Sequence, residues 1–433
     1  MHPKILIVMT TPYSTSDSSR TLDAYFHYWE RDRVVQIFSR NWIPNKGHCN
    51  EMYQITDASL LKKWFHKPVE VGKIYTYDEM IEQNGNEIIQ DDSTAVFYKI
   101  GVNHSPMIEL LREVLWKKKY WCTEKLVKWL DEYKPECIVY NFSNHLFTQQ
   151  IALFAAKRYG IPIITVIGDD YYFNDKFSIS PAYWLFRYKF KRLTEKILLN
   201  GTSAVYCSNK IRDKYNEYFG IEGETIYVTS SIIRKEFREI NKESPKFVYF
   251  GSIRLGRNNA LCDIATALGE INMSYKLEVY SNESDERING CLKKHANVFY
   301  GGAISYNEVA RKMLEADVFV IAEGFRKKDI NFTRYSLSTK AADGLACGTS
   351  ILTYGPNESG VVEYMRETKA SMVCSDQREL KTDILKLITD VELQKKYYEK
   401  AILASNKNHT LNSTTAMFES VVEKTMRKGY VKW

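Results

Sequence analysis

No run of apolar residues in this sequence approaches the roughly 20 that a helix needs to cross a bilayer. Only eight cysteines occur, at positions 49, 122, 137, 207, 262, 291, 347 and 374, and none forms a CxxC pair. Several lie in apolar runs, as Cys137 does in Glu136-Cys137-Ile138-Val139-Tyr140, so they read as free buried thiols in a reducing compartment. No His/Cys/Asp spacing resembles a zinc or magnesium site. Gly-x-Ser-x-Gly elbows and phosphate-binding Walker loops are also missing, which removes the common hydrolase and nucleotide-hydrolase signatures. Internal repeats and low-complexity tracts are lacking too. Met1-His2-Pro3-Lys4 leads into an apolar strand without a signal-peptide pattern. The expectation is a cytoplasmic protein, in contact with the inner face of the cell membrane at most peripherally, with no metal.

What is present describes a globular chain of more than one domain. Its 433 residues exceed one ordinary core, and 44% hydrophobic with 26% charged residues excludes a disordered or collagen-like chain. The net charge of +7 permits anionic substrates or an anionic membrane and is too small to argue for nucleic acid. Thirty tyrosines suit sugar stacking and pack equally well in a core.

Apolar runs alternate with helical patterns. Ile5 to Met9 is a continuous apolar strand of the kind buried on both faces of a parallel sheet. A polar turn, Thr10 to Asp17, separates it from an amphipathic stretch at Arg20 to Glu30. Further strands are read at Val34 to Phe38, Cys137 to Asn141, Pro162 to Ile167, Ala204 to Cys207 and Ile226 to Val228. Helical patterns fill Met107 to Tyr133 and Leu146 to Tyr159, whereas 45 to 105 carry no legible motif. The alternation predicts an α/β fold with doubly wound parallel sheets. Charged Arg234 to Lys246 reads as a linker. A second unit then begins at Phe247-Val248-Tyr249-Phe250-Gly251, with strands near 277, 298, 318, 350 and 372. The expected domains are 1–240, 241–410 and a terminal helix in 411–433.

Three places carry candidate chemistry. In Asn331 to Gly360, the polar run Tyr335-Ser336-Leu337-Ser338-Thr339 meets a short helix, Lys340 to Ala346, stopped by Cys347-Gly348 and followed by a strand at Ser350 to Tyr354. A helix start gathers unpaired N–H groups and the positive dipole end, which suits a diphosphate at Ser338, Thr339 and Lys340. Asp343, one turn inside, suits ribose hydroxyls. An ordinary helix–strand corner with Ser/Thr capping describes the same residues. The second place is Phe250-Gly251-Ser252-Ile253-Arg254-Leu255-Gly256-Arg257, whose arginines suit phosphate oxygens or a solvated loop tip. The third is Gly168-Asp169-Asp170-Tyr171-Tyr172, after a strand, where a carboxylate serves as base, holds a sugar hydroxyl, or caps a helix. His145, at a helix start, is a weaker candidate.

The stretch around Asp343 resembles the nucleotide-sugar signature of glycosyltransferase family 4. There, two glutamates are separated by seven intervening residues and the second opens a helix reading roughly Glu-Ala-Met-Ala-x-Gly-x-Pro. Asp343 to Ser350 occupies that frame, with Asp343 for the second glutamate, Tyr335 for the first and Ser350 for the proline. The resemblance implies the GT-B fold, two Rossmann-like domains facing a cleft, with the terminal helix crossing back onto the first. It implies Ser252, Arg254, Arg257, Ser338, Thr339 and Lys340 on the donor diphosphate, and Tyr335 and Asp343 on donor sugar and nucleotide. Asp169 and Asp170 match the family's His-Asp pair at the reaction centre. The implied activity is retaining transfer from a nucleotide-sugar donor to a glycan or lipid-linked acceptor, in bacterial surface polysaccharide or glycoconjugate synthesis, without cofactor. A sugar-nucleotide epimerase of the same fold and a non-catalytic glycosyltransferase-like partner protein are the alternatives.

Two stretches are basic and aromatic together, Trp116 to Trp121 and Trp184 to Arg192. Either rests on anionic lipid or forms a solvated face over a core.

Overall fold

A computed structural model describes residues 2–13, 20–65, 69–81, 106–199 and 203–429. Of the polar turn after the first strand, Ser14 to Asp17 lie outside the described residues. The chain divides into two compact units, Met1–Ile226 with Thr415–Trp433, and Tyr227–Thr414.

Among the described residues the first unit holds eight strands: β1 (Ile5–Val8), β2 (Val34–Phe38), β3 (Glu51–Gln54), β4 (Lys73–Thr76), β5 (Cys137–Asn141), β6 (Ile163–Ile167), β7 (Ser203–Tyr206) and β8 (Glu224–Thr225). Their order is β4-β3-β2-β1-β5-β6-β7-β8, and every pair is parallel except β3–β4. β1, β2 and β6 are buried along their whole length, as parallel strands covered by helices on both faces must be. From Thr415 on, the helix Leu411–Lys428 belongs to this unit. Its Phe418 ring stacks on Tyr25 at 4.3 Å and meets Phe26 edge-on, while Thr425 Oγ1 donates to Ser203 Oγ at 2.7 Å.

The second unit is a six-stranded, all-parallel sheet in the order β11-β10-β9-β12-β13-β14. Its strands are β9 (Phe247–Phe250), β10 (Leu277–Tyr280), β11 (Val298–Gly302), β12 (Val318–Ala322), β13 (Ser350–Tyr354) and β14 (Met372–Cys374). The winding direction reverses between β9 and β12, so the chains leaving those two strands diverge and leave a crevice at their C-terminal ends.

Several local expectations are revised. The helical pattern from Met107 to Tyr133 breaks into helices Pro106–Leu115, Lys118–Trp121 and Glu124–Tyr133. Trp116 ends the first by turning inward, where its indole donates to Asp57 at 2.6 Å and stacks on Phe147 at 3.9 Å. Thr123 caps the third. The strand read at Ile226 to Val228 is instead β8, two residues earlier, because its partner β7 stops at Tyr206. Arg234 to Lys246 is packed within the second unit. Arg234 donates to the carbonyls of Leu345 and Ala346, and Lys235 to those of Leu314 and Ala316. Both sets are carbonyls at helix C-termini, which lack intrahelical donors and carry the negative dipole end. A run of cations thus reads like a solvated linker in sequence and serves as helix caps in the fold. Trp116 and Trp121 are core residues, so the first basic-aromatic stretch has no tryptophan at the surface.

Candidate functional site

The crevice between β9 and β12 is built from short, tightly fitted turns. Gly251 follows β9 with φ +105, and a Cβ there would lie 2.8 Å from Lys340 Cε. The positive φ is a backbone conformation that residues with a side chain rarely adopt, and the lack of a Cβ leaves Lys340, in the first turn of the helix Thr339–Cys347, free to lie against this loop. Gly324, two residues past β12, lets the two loops interlock: its Cβ would fall 2.1 Å from the Leu255 carbonyl.

Within this frame Lys340 Nζ donates to the Tyr249 hydroxyl at 2.8 Å and lies over its ring, and the hydroxyl donates to the Ser252 carbonyl at 2.5 Å. Burial, and then the neighbouring Arg257 charge, bring the Lys340 ammonium down to about 7. Burial pushes the Tyr249 phenol well up, so it stays a neutral hydrogen-bonding group. Arg257 opens the helix Arg257–Ile271 and forms a two-pronged pair with Glu323, Nε to Oε2 at 3.1 Å and Nη2 to Oε1 at 3.0 Å. The side chains are 14% and 3% exposed, so the pair is largely out of water. Arg254 reaches outward and pairs with Glu283. Ser252 is exposed, and its hydroxyl accepts from the Arg254 N–H at 3.3 Å.

Ser338 occupies the N-cap position without a side-chain capping bond, and Thr339 is exposed. Tyr335 is half-buried beneath the Arg334 guanidinium. Asp343 is buried, and its Oδ1 accepts from Ser230 Oγ at 2.7 Å. That hydroxyl also accepts from the Ile232 N–H, so Asp343 anchors the segment entering the second unit.

Lys340, Arg257 and Ser252 therefore gather around the end of β9, with Tyr249 and Glu323 as partners that sequence reasoning passed over. Glu323 had a usable signal, a lone carboxylate directly after the apolar run of β12. Ser230 had none, being 113 positions from Asp343.

Asp169 and Asp170 lie in the first unit, after β6. Asp170 is buried and caps a turn, its Oδ1 accepting from the Phe173 N–H and the Tyr215 hydroxyl, each at 2.9 Å. No helix follows directly, and the next one starts at Pro181. Asp169 is half-buried and accepts from the Tyr171 hydroxyl at 3.3 Å. Buried Arg187 fixes the same loop by donating to the carbonyls of Tyr171 and Tyr172 and pairing with Asp175. His145 pairs with buried Glu109 at 3.1 Å. Asp170→Ala should destabilise the first unit by about 1–3 kcal/mol, since the Tyr215 hydroxyl loses a buried acceptor. Urea denaturation followed by tyrosine and tryptophan fluorescence measures this, and an unchanged midpoint would refute the anchoring role.

Among the described residues no group of three or more His, Cys, Asp or Glu side chains is placed to hold a metal ion.

No protein family's sequence profile matches the chain, and no curated protein does. Solved structures do. Sucrose-phosphate synthase from Thermosynechococcus elongatus is 11% identical with a TM-score of 0.60, over 98% of this chain and 100% of that one. Anabaena HepE in complex with UDP is 12% identical with a TM-score of 0.57, over 97% and 100%. The Escherichia coli trehalose-6-phosphate protein bound with UDP-2-fluoro glucose is 8% identical with a TM-score of 0.58, over 97% and 99%. At these identities the likeness is one of fold, and it extends over 97–98% of the chain: two α/β domains, one with a mixed and one with a parallel sheet, of the GT-B class.

Proposed function

We propose that this chain is a glycosyltransferase that moves a sugar from a nucleotide-diphosphate donor to a glycan or lipid-linked acceptor. The observation that carries the reading is the convergence of Lys340 and Arg257 at the end of β9, where the sheet reverses its winding. A departing nucleoside diphosphate gains negative charge as the glycosidic bond breaks, and pre-positioned cations in a water-poor crevice stabilise that change. Lys340 is poised for it, because an arriving anion offsets the burial that holds its ammonium near 7. The helix start at Ser338 and Thr339 adds N–H groups, with Ser252 and Arg254 at the outer edge. Asp343 and Tyr335 are assigned to nucleotide and donor sugar, and Asp169 at the surface of the first unit to the acceptor side. Asp170 holds the turn that carries Asp169.

The donor half is taken as the second unit, 227–414, and the acceptor half as the first, 1–226 completed by 415–433. The chemistry is family 4-like hexosyl transfer with retention, serving bacterial surface polysaccharide or glycoconjugate synthesis, with these side chains rather than a metal meeting the diphosphate charge. UDP-sugars are the first donors to try, given the UDP compounds bound in the structures of similar fold.

Thermal-shift screening against UDP-, GDP-, dTDP- and CMP-sugars tests the donor site, because a ligand that binds only the folded state raises its stability by mass action. One donor should raise Tm by several degrees at about 100 times its Kd. No shift with any of the four would end the reading. Product analysis with and without acceptor then separates transfer from donor epimerisation.

A further inference from the structure

The first unit carries an apolar surface that nothing described covers. Helix Pro106–Leu115 turns Met107, Leu111 and Val114 outward, at i, i+4 and i+7, with Leu111 64% exposed. This is the opposite of a helix that hides its apolar stripe in a core. Helix Pro181–Leu199 packs against it, tied by Lys189 Nζ to Glu113 at 2.7 Å, and exposes Trp184, Leu185 and Tyr188. The loop before it adds Phe177 and Ile179, 96% and 90% exposed. That loop is pinned, since Trp184 Nε1 donates to the Ser178 carbonyl and the Lys176 N–H to the Tyr183 hydroxyl, both at 2.7 Å. Holding two bare apolar side chains in water on a fixed loop brings no stability by itself.

Beside this face, the end of helix Pro106–Leu115, the segment 117–121 and helix Leu146–Tyr159 line a groove of about 850 Å³ with Val114, Leu153, Phe154 and Trp121 in its walls, and helix Pro181–Leu199 adds Lys189. Lys117, Lys118, Lys157, Arg158 and Lys189 line it as well; Glu113, paired with Lys189, is the one carboxylate among the described lining residues, and Arg158 pairs with Asp131 beside it. The Lys118 ammonium lies over the Phe154 ring at 4.6 Å, its stem along the wall and its charge outward.

We propose that the face formed by helices Pro106–Leu115 and Pro181–Leu199 docks on an anionic lipid bilayer. Aliphatic and aromatic side chains flanked by lysines match the boundary between acyl chains and negatively charged headgroups. A protein partner would meet the apolar stripes equally well. The lysine-rich groove is what selects a surface of dense negative charge. The inference gives form to the membrane contact expected with a lipid-linked acceptor, and its test needs no donor, so it stands or fails apart from the sugar-transfer reading.

The full-length chain is co-sedimented with vesicles of phosphatidylcholine alone and with vesicles containing about 30 mol% phosphatidylglycerol, at about 0.1 M salt. It should pellet with the second and stay in solution with the first. Lys117→Glu/Lys118→Glu/Lys157→Glu, at three surface positions, should weaken partition about a hundredfold. Met107→Gln/Leu111→Gln should weaken it about tenfold while leaving its salt dependence intact. Circular dichroism melts identical to the parent would show that both variants fold. Failure of the parent to bind phosphatidylglycerol vesicles, or equal binding by the charge-reversed variant, would overturn the proposal. So would a dimer in size-exclusion light scattering that Met107→Gln/Leu111→Gln disperses, since the face would then serve self-association.

Discussion

Lys340→Met should lower kcat/KM for the nucleotide-sugar donor about a hundred- to a thousandfold, the usual scale for removing one stabilising group from a developing oxyanion. The same substitution should leave Tm unchanged or raise it. The reason is the direction in which the Lys340 ammonium is displaced. An unfolded chain holds that proton up to about 10.5 and the folded chain only to about 7, through burial and then Arg257. Between those values the unfolded state binds more protons, so stability rises with pH through the window. Below about 7 the cost of burying the cation is fully present. Methionine, similar in length and uncharged, removes that cost.

The donor responds in the opposite sense. If the diphosphate binds the ammonium form, affinity for a UDP-sugar should fall with pH above about 7, approaching tenfold per pH unit, and binding should take up close to one proton. Isothermal titration in buffers of different ionisation enthalpy counts that proton directly. In Lys340→Met the pH dependence should vanish. A methionine variant that keeps both the parent's kcat/KM and its pH profile would remove Lys340 from the donor site.

The second large effect is expected at Arg257 and Glu323. Their two-pronged contact is nearly dry, so truncating one member strands a charge in a low-dielectric setting. Arg257→Ala should therefore destabilise the second unit by about 3–5 kcal/mol and abolish the donor-induced thermal shift. That outcome alone would not separate a structural role from a functional one. Arg257→Met/Glu323→Leu does so: replacing a buried pair by apolar residues of similar size is often neutral, so stability should return to within about 1–2 kcal/mol of the parent. Donor binding should not return. Recovery of a normal donor shift in this double variant would show that Arg257 only supports the fold, whereas recovery of stability alone places the guanidinium on the diphosphate.

The apolar runs of β1, β2, β5, β6, β9, β12 and β13 were legible because strands buried on both faces of a parallel sheet are predominantly apolar, whatever packs on them. The helix from Thr339 to Cys347 was legible for a similarly local reason, a glycine stop and a following strand. The loop Gly251 to Arg257 could be placed from its position after β9.

Which cations converge, and what holds them, was decided only in three dimensions. Arg257 meets Glu323 across 66 positions and Lys340 meets Tyr249 across 91, and no pattern of period 2 or 3.6 reports a contact at such separations. The same holds for the charged run at Arg234, whose side chains seek helix C-termini more than 70 positions away. Trp116 and Trp121 went to the core while Trp184 stayed outside, although all three sit among lysines and arginines in sequence. Composition and spacing thus determined the sheets and their class, because burial on two faces is a local demand. The crevice chemistry, the buried ion pair and the exposed apolar face came from tertiary structure, because an ion pair is stabilising or costly according to neighbours that only folding supplies.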